Sequence, residues 1–191
     1  MVAESKIIGD YDDSFTGGDG TITVSLFPES CKIRWSQCSA LADFLASYFD
    51  STFSSVAEQN EWRREMIGTI AYIMNELIEN AVKFTQQGKI EAGMGVSSDE
   101  VIFIVRNSIK VSAVATFEAV LDEIMCGNPS SILIRKVEQN ASDEKSRGSG
   151  LGFLSIMSDY NAKLGWKFEP SESIPDRMTV TTMARLPRTR K

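Results

Sequence analysis

The chain has 191 residues, of which 42% are hydrophobic and 24% charged, which is enough for one domain with a complete core. Its formal net charge of −6 argues against general nucleic-acid binding, which depends on clustered lysine and arginine. The absence of histidine excludes a phosphohistidine intermediate and histidine metal sites on this chain. No run reaches the roughly 18 apolar residues of a membrane span, and the acidic start is unlike a signal peptide. Three cysteines without a C-x-x-C pair indicate reduced, buried thiols, so we expect a cytoplasmic protein.

Apolar periodicity and turn residues predict the order of elements along the chain. We expect residues 1–20 to be a mobile N-terminal segment and residues 21–188 to form a single domain. The predicted strands are Thr21–Phe27, Lys89–Val96, Glu100–Arg106, Lys163–Glu169 and Met178–Leu186. The predicted helices are Ser36–Phe49, Asn60–Phe84, Ser112–Met125, Ser130–Asn140 and Leu151–Tyr160. This order indicates an α/β (α+β) fold, namely a two-layer sandwich whose mixed, largely antiparallel sheet is covered on one face by helices.

A polar stripe on the long predicted helix contains the first candidates for a functional site. Glu76 and Asn80 lie one turn apart, at the border between this stripe and the apolar face. A border position is half covered yet can reach into a cleft, where a carboxamide oxygen can bind Mg²⁺ and a carboxylate can take a proton. Taken alone, such a stripe is more often the solvated face of a core helix.

A glycine-rich run further along the chain contains the second set of candidates. It reads R-G-S-G-L-G-F from Arg147 to Phe153. Glycines let a backbone approach phosphate oxygens closely, and the amides at the start of the next helix would point at those oxygens. The spacing differs from the dinucleotide-binding pattern G-x-G-x-x-G. Taken alone, such a run is more often a flexible turn before a helix.

Together and in this order, the two motifs resemble those of the GHKL superfamily of ATP-binding domains, which have the Bergerat fold. The family includes histidine-kinase catalytic domains, anti-sigma-factor serine kinases, gyrase subunits and Hsp90, and the resemblance covers residues 60–188. The first motif is similar to the family's N box, and the positions that match it are Glu76, Asn80, Lys83 and Thr85.

The second motif is similar to the glycine box that ends the family's ATP lid. The positions that match it are Gly148, Gly150, Leu151 and Gly152. The resemblance implies that these residues contact the phosphates. Arg147, with Ser146 and Lys145 on the same loop, would close over the γ-phosphate.

One family element is replaced in this chain. After the strand that corresponds to Val101–Val105, a typical member has D-x-G-x-G, whose Asp accepts a hydrogen bond from the adenine amino group. Here Asn107 stands at the Asp position and both glycines are missing, so the turn that shapes the base pocket must differ. A carboxamide can still accept from the amino group and donate to a ring nitrogen. The alternative is a turn residue at a strand end. With an Asn at this position, the chain resembles the SiaB-like regulatory protein kinases, a bacterial subgroup that acts on a small partner protein.

The resemblance implies an ATP- and Mg²⁺-dependent Ser/Thr protein kinase that phosphorylates a small regulatory partner in a bacterial partner-switching circuit. Glu76 would be the catalytic residue and Asn80 the magnesium ligand, while Lys83 and Asn107 would contact the nucleotide. The missing D-x-G-x-G favours the alternative, a catalytically silent scaffold that sequesters a regulatory protein. An ATPase of the gyrase or Hsp90 kind is a weaker alternative, and a homodimer is left open.

Overall fold

The computed structural model of the protein describes residues 5–14, 21–27, 35–52, 61–85, 87–97, 99–142 and 150–188. These residues form six strands and five helices. Every strand and helix predicted from the sequence is present, with ends shifted by up to four residues, and one short strand was not predicted. In chain order the elements are β1 (Lys6–Gly9), β2 (Ile22–Leu26), α1 (Trp35–Thr52), α2 (Glu61–Phe84), β3 (Ile90–Val96), β4 (Glu100–Lys110), α3 (Val111–Met125), α4 (Pro129–Ser142), α5 (Leu151–Tyr160), β5 (Lys163–Pro170) and β6 (Arg177–Pro187).

The six strands form one sheet in the order β1-β5-β6-β4-β3-β2. All five pairings between them are antiparallel. The α+β fold with a largely antiparallel sheet is therefore confirmed, while the parallel pairing that a mixed sheet would need is absent from the described strands. The longest pairing joins β4 to β6, from Glu100 opposite Pro187 to Lys110 opposite Arg177.

Helix α2 is the main helical contribution to the core. Its apolar residues recur every three or four positions, so they lie on one face, which packs against α1, β3 and β4. Burying one such large side chain stabilises the fold by roughly 1.5–3 kcal/mol relative to leaving it in water. Glu76 and Asn80, at the edge of this face, are half-buried as expected. The buried residues of the helix are Ile70, Ile73, Met74, Leu77, Ile78 and Ala81.

The start of the chain differs from the sequence-based expectation. β1 pairs with β5, and the Asp10 amide donates to the Leu164 carbonyl at 2.8 Å. The Lys167 ammonium then binds the Asp13 carboxylate at 2.8 Å. Within the N-terminal segment that the sequence predicts to be mobile, residues 5–14 thus include a paired strand, while residues 1–4 and 15–20 lie outside the described residues.

Strand β4 is longer than predicted. It continues through Asn107 to Lys110, and Val111 begins α3 directly. Asn107 is therefore not a turn residue but lies inside the sheet, opposite Val180. The extension has a simple cause, because β6 runs alongside and pairs with β4 over this whole stretch, so that the backbone groups find partners in the ladder.

The described residues also bear on two further expectations, one about membrane-spanning helices and one about the cysteines. No helix among them is long and apolar enough to cross a membrane. Cys38 is buried and Cys126 is exposed, so the prediction of buried thiols holds for the first and is wrong for the second. Cys31 lies outside the described residues.

Candidate functional site

A cavity of about 280 Å³ lies between the helices and the β4–β6 part of the sheet. Most of its walls are apolar, as is usual for sites that bind small organic molecules. Helix α2 forms one side, α3 the other, and α5 contributes Phe153. The lining residues are Leu77, Asn80, Ala81, Lys83, Phe84, Asn107, Ile109, Lys110, Ala113, Thr116, Phe117, Val120, Phe153 and Thr182.

The floor of the cavity is polar at two points, Asn107 on β4 and Thr182 on β6. Thr182 is opposite Val105, two residues from Asn107, so the alternation of a strand places both side chains on the same face of the sheet. Each side chain is only 7% exposed. No hydrogen bond joins the Asn107 carboxamide to any described residue, so its donor and acceptor groups are available to the cavity. Neither carboxamide atom is among the described polar atoms that are shut off from solvent without a partner, so both reach the cavity, where water or a bound molecule can pair with them.

Asn80 lies on the α2 side of the same cavity. Its Nδ2 donates to the backbone carbonyl of Glu76 at 2.8 Å. This bond commits the nitrogen to the helix backbone and fixes the side chain, so that Oδ1 is the acceptor that the carboxamide retains. An amide oxygen of this kind is a suitable ligand for Mg²⁺.

Two lysines lie at the mouth of the cavity. Lys83 and Lys110 both line it and are both exposed. The Lys83 Nζ atom stands 5.2 Å from the ring centroid of Phe84, which is itself 42% exposed. The mouth is therefore positively charged, while the interior is apolar with carboxamide and hydroxyl groups. This arrangement suits a ligand with a flat apolar part and an anionic tail.

Glu76 does not line the cavity but lies beside it, one turn before Asn80. A Cβ atom built on Gly152 would overlap Oε2 of Glu76 and lie 3.0 Å from its Cδ. The carboxylate is therefore packed against the first turn of α5. Burial raises the pKa of Glu76 above its ordinary value, and the nearby Glu79 carboxylate raises it further. A carboxyl group with a raised pKa takes a proton more readily near neutral pH.

The start of α5 is held between α2 and α3. Gly150 precedes the helix with φ of 91°, a left-handed conformation that favours glycine. A Cβ atom there would lie 3.2 Å from Val120 and Ile124 of α3. Leu151 begins the helix and is half-buried. Arg147 and Gly148, with Lys145 and Ser146, lie outside the described residues.

The described site residues thus form two adjoining groups. Asn80, Lys83 and Asn107 line the cavity, while Glu76 and Gly152 lie together beside it, with Gly150 and Leu151 at the start of the same helix α5. Among the described residues, no cluster of three or more Cys, Asp or Glu side chains could hold a metal ion. A Mg²⁺ ion at Asn80 would therefore need most of its ligands from a bound phosphate chain and water, as is common for this ion.

Several lining residues were not predicted from the sequence. Phe117 of α3 contacts three other aromatic rings, with centroid distances of 6.2 Å to Phe84, 6.5 Å to Phe153 and 5.8 Å to Phe168. The α3 residues that line the cavity recur at positions 113, 116, 117 and 120, which is the spacing of one helix face. That face could have been recognised in the sequence, but not the elements that it faces, because they lie far away along the chain.

A solved structure with a similar fold is a chain of the SiaB–SiaC complex from Pseudomonas aeruginosa. It matches with a TM-score of 0.60 and 13% sequence identity, over 86% of the present chain and 89% of that chain. No protein-family profile matches the present chain, and no curated protein matches it. At 13% identity the likeness shows the fold alone, and for the fold it supports the SiaB-like resemblance that the sequence motifs indicated.

Proposed function

We propose that the protein is an ATP- and Mg²⁺-dependent protein kinase of the GHKL type, which phosphorylates a Ser or Thr of a small regulatory partner protein. The observation that carries this proposal is the apolar cavity with the Asn107 carboxamide, which bonds to no described residue, on its floor and Asn80 on its side. A nucleotide would fill the cavity with its base and would leave its phosphates near the basic mouth.

The base would lie against the aromatic and aliphatic walls. Phe117 and Phe153 offer ring faces and edges, and burying aromatic surface of this kind is favourable. The Asn107 carboxamide would bind the polar edge of the base. A base that filled the cavity without pairing with this carboxamide would leave it without a partner, at a cost of about 1–3 kcal/mol.

The phosphates would lie between Asn80 and the start of α5. Lys83 at the mouth would bind phosphate oxygens as a positive charge. The resemblance to the glycine box implies that Arg147 and Gly148 also contact the phosphates. Bound Mg²⁺ neutralises charge on the phosphates, and Asn80 would hold the ion through Oδ1. The hydrogen bond from Nδ2 to the Glu76 carbonyl holds Asn80 in place for this role.

Glu76 would act on the attacking hydroxyl group of the partner. In the transfer step the hydroxyl oxygen bonds to the γ-phosphorus, the bond to the β-phosphate oxygen breaks, ADP leaves, and the hydroxyl proton goes to the Glu76 carboxylate. The raised pKa of Glu76 suits a group that must take a proton. Gly152 allows the carboxylate to lie close to the start of α5.

A silent scaffold is the second candidate, and one observation favours it. β4 runs without interruption into α3, where a typical family member has the D-x-G-x-G turn. The solved structure with the similar fold is from a complex of SiaB with SiaC, and this supports a protein partner for the present chain under either hypothesis.

A transfer assay separates the two candidates. Wild-type protein is incubated with Mg²⁺, ATP labelled on its γ-phosphate and each small protein that is encoded beside it. We expect label on a Ser or Thr of one partner, and a loss of roughly 10²–10⁴-fold in transfer with Glu76→Gln at unchanged ATP affinity. Glu65→Gln is the matched control, because Glu65 is on the same helix but is exposed and does not line the cavity. Tight binding of a partner without label would favour the scaffold.

A further inference from the structure

The floor of the cavity contains no group that only accepts or only donates hydrogen bonds. Asn107 has a carboxamide, with an acceptor oxygen and a donor nitrogen, and the Thr182 hydroxyl can act in either way. The only charged side chains that line the cavity within the described part of the chain are Lys83 and Lys110, which are exposed at its mouth. No carboxylate is among the described lining residues.

This chemistry bears on which purine the cavity can hold. Adenine presents an amino donor at position 6 beside an acceptor at N1, whereas guanine presents an acceptor at O6 beside an N1–H donor. A carboxylate only accepts hydrogen bonds, so it pairs with the amino group of adenine but not with N1, and with the N1–H and 2-amino groups of guanine but not with O6. A carboxamide that turns by half a rotation about its terminal bond exchanges its donor and acceptor, and it can then pair with either edge.

We infer that the cavity binds GTP as well as ATP, with Asn107 as the residue that makes both bases acceptable. The inference rests on the proposed function, since it requires a purine nucleotide in this cavity. The Asn107 side chain is free to turn because no hydrogen bond to a described residue fixes it, and the neighbouring Thr182 hydroxyl can follow either orientation.

Binding to the wild-type protein gives the first test. Affinities for Mg²⁺-ATP, Mg²⁺-GTP and a purine riboside triphosphate without a substituent at position 6 are measured by calorimetry. We expect the ATP and GTP dissociation constants to agree within about tenfold, and the unsubstituted purine to bind about tenfold or more weakly than ATP because Asn107 loses half of its pairing. This measurement needs no variant, so it does not depend on whether a substitution at a buried position folds.

The variant Asn107→Leu gives the second test. It loses the pairing with both bases, so we expect its affinities for ATP and GTP to fall alike, by about tenfold to a hundredfold. A fall in ATP affinity alone would show that Asn107 does not pair with guanine and would overturn the inference. Melting temperatures of the variant and the wild type show whether both are folded.

Each outcome decides between the two proposals. A more than tenfold preference of the wild type for ATP over GTP overturns this inference and leaves the kinase proposal standing. Equal affinity for ATP and for the triphosphate without a substituent at position 6 also overturns it, since Asn107 would then not bind that substituent of the base. If no triphosphate binds at millimolar concentration, the proposed function fails, and this inference fails with it.

Discussion

A side chain at Gly152 would occupy the space that the Glu76 carboxylate already fills. A Cβ atom there would overlap Oε2 of Glu76 and lie 3.0 Å from its Cδ. Gly152 lies in the first turn of α5 and does not have a positive φ, so the backbone there does not require glycine. The glycine is therefore explained by the carboxylate and not by the needs of the helix.

We expect Gly152→Ala to separate activity from stability. The new methyl group meets only the end of a flexible side chain, and alanine favours the helix, so the free energy of unfolding should stay within about 1 kcal/mol of the wild type. The displaced carboxylate should lower phosphoryl transfer about a hundredfold. Denaturant unfolding and the labelled-ATP assay measure the two effects.

Gly68→Ala is the matched control, because Gly68 is also inside a helix and has nothing within 4 Å of its Cβ position. It should stabilise the protein by up to about 1 kcal/mol and leave transfer unchanged. Wild-type transfer in Gly152→Ala would show that the position of the carboxylate does not matter.

The raised pKa of Glu76 also predicts a pH-dependent stability. Burial, and then the nearby Glu79 carboxylate, raise the pKa of Glu76 in the folded protein above its ordinary value of 4.5. The folded state therefore holds this proton more tightly than the unfolded state, so Glu76 lowers stability progressively as the pH rises from about 4.5 through the raised pKa. Above that range the penalty is constant.

Glu76→Gln removes this ionisation. We expect the variant to gain stability relative to the wild type as the pH rises through that window, with a constant difference at higher pH. Urea unfolding of both proteins between pH 4 and pH 8 provides the comparison. Parallel stability curves over the whole range would mean that Glu76 has the same pKa in the folded and unfolded states.

Asn80→Ala should remove Mg²⁺-dependent nucleotide binding with little effect on the fold. The side chain is half-buried and outside the apolar face of α2, and it makes one hydrogen bond, to the Glu76 carbonyl, which contributes about 1 kcal/mol. ATP affinity with and without Mg²⁺, measured beside the melting temperature, tests this.

Asn75→Ala is the matched control on the same helix. Asn75 is also half-buried and donates to Glu79 at 2.9 Å, but it does not line the cavity. Its variant should therefore keep the wild-type ATP affinity. Equal ATP affinities of Asn80→Ala and wild type in the presence of Mg²⁺ would exclude Asn80 as a ligand of the metal.

The elements with strong local patterns could be predicted from the sequence. α5 was predicted with the bounds Leu151–Tyr160 that it has, and α2 within one residue, because apolar periodicity and glycine positions are local signals. The half-buried positions of Glu76 and Asn80 followed from the same periodicity. The fold class followed from the order of the elements.

The features that depend on distant partners could not be predicted in this way. β1 has four residues, too few for a periodic pattern, and it is a strand because β5 lies beside it. β4 continues through Asn107 because β6 pairs with it there. The cavity likewise needs α3 to face α2 above the same face of the sheet, which no local pattern in the sequence specifies.

The last prediction concerns the segment that follows β1. Trp166 contacts Phe153 of α5, so the neighbouring Gly165 faces the opposite side of the sheet. On that side, the chain passes over Gly165 directly after β1. A Cβ atom on Gly165 would overlap backbone atoms of Asp10 and Tyr11. Backbone cannot move aside as a flexible side chain can, so Gly165→Ala should destabilise the protein by about 1–3 kcal/mol.

Gly165→Ala should also displace residues 10–14 from the face of the sheet. Hydrogen exchange at the Asp10 amide, which donates to the Leu164 carbonyl, should become faster. Burial raises the pKa of Tyr11 above its usual value, with Asp13 adding to the shift, and this pKa should fall back in the variant. Gly68→Ala, which meets no neighbour, should change neither observable. Unchanged stability and unchanged exchange at Asp10 in Gly165→Ala would show that this segment does not lie against Gly165 in solution.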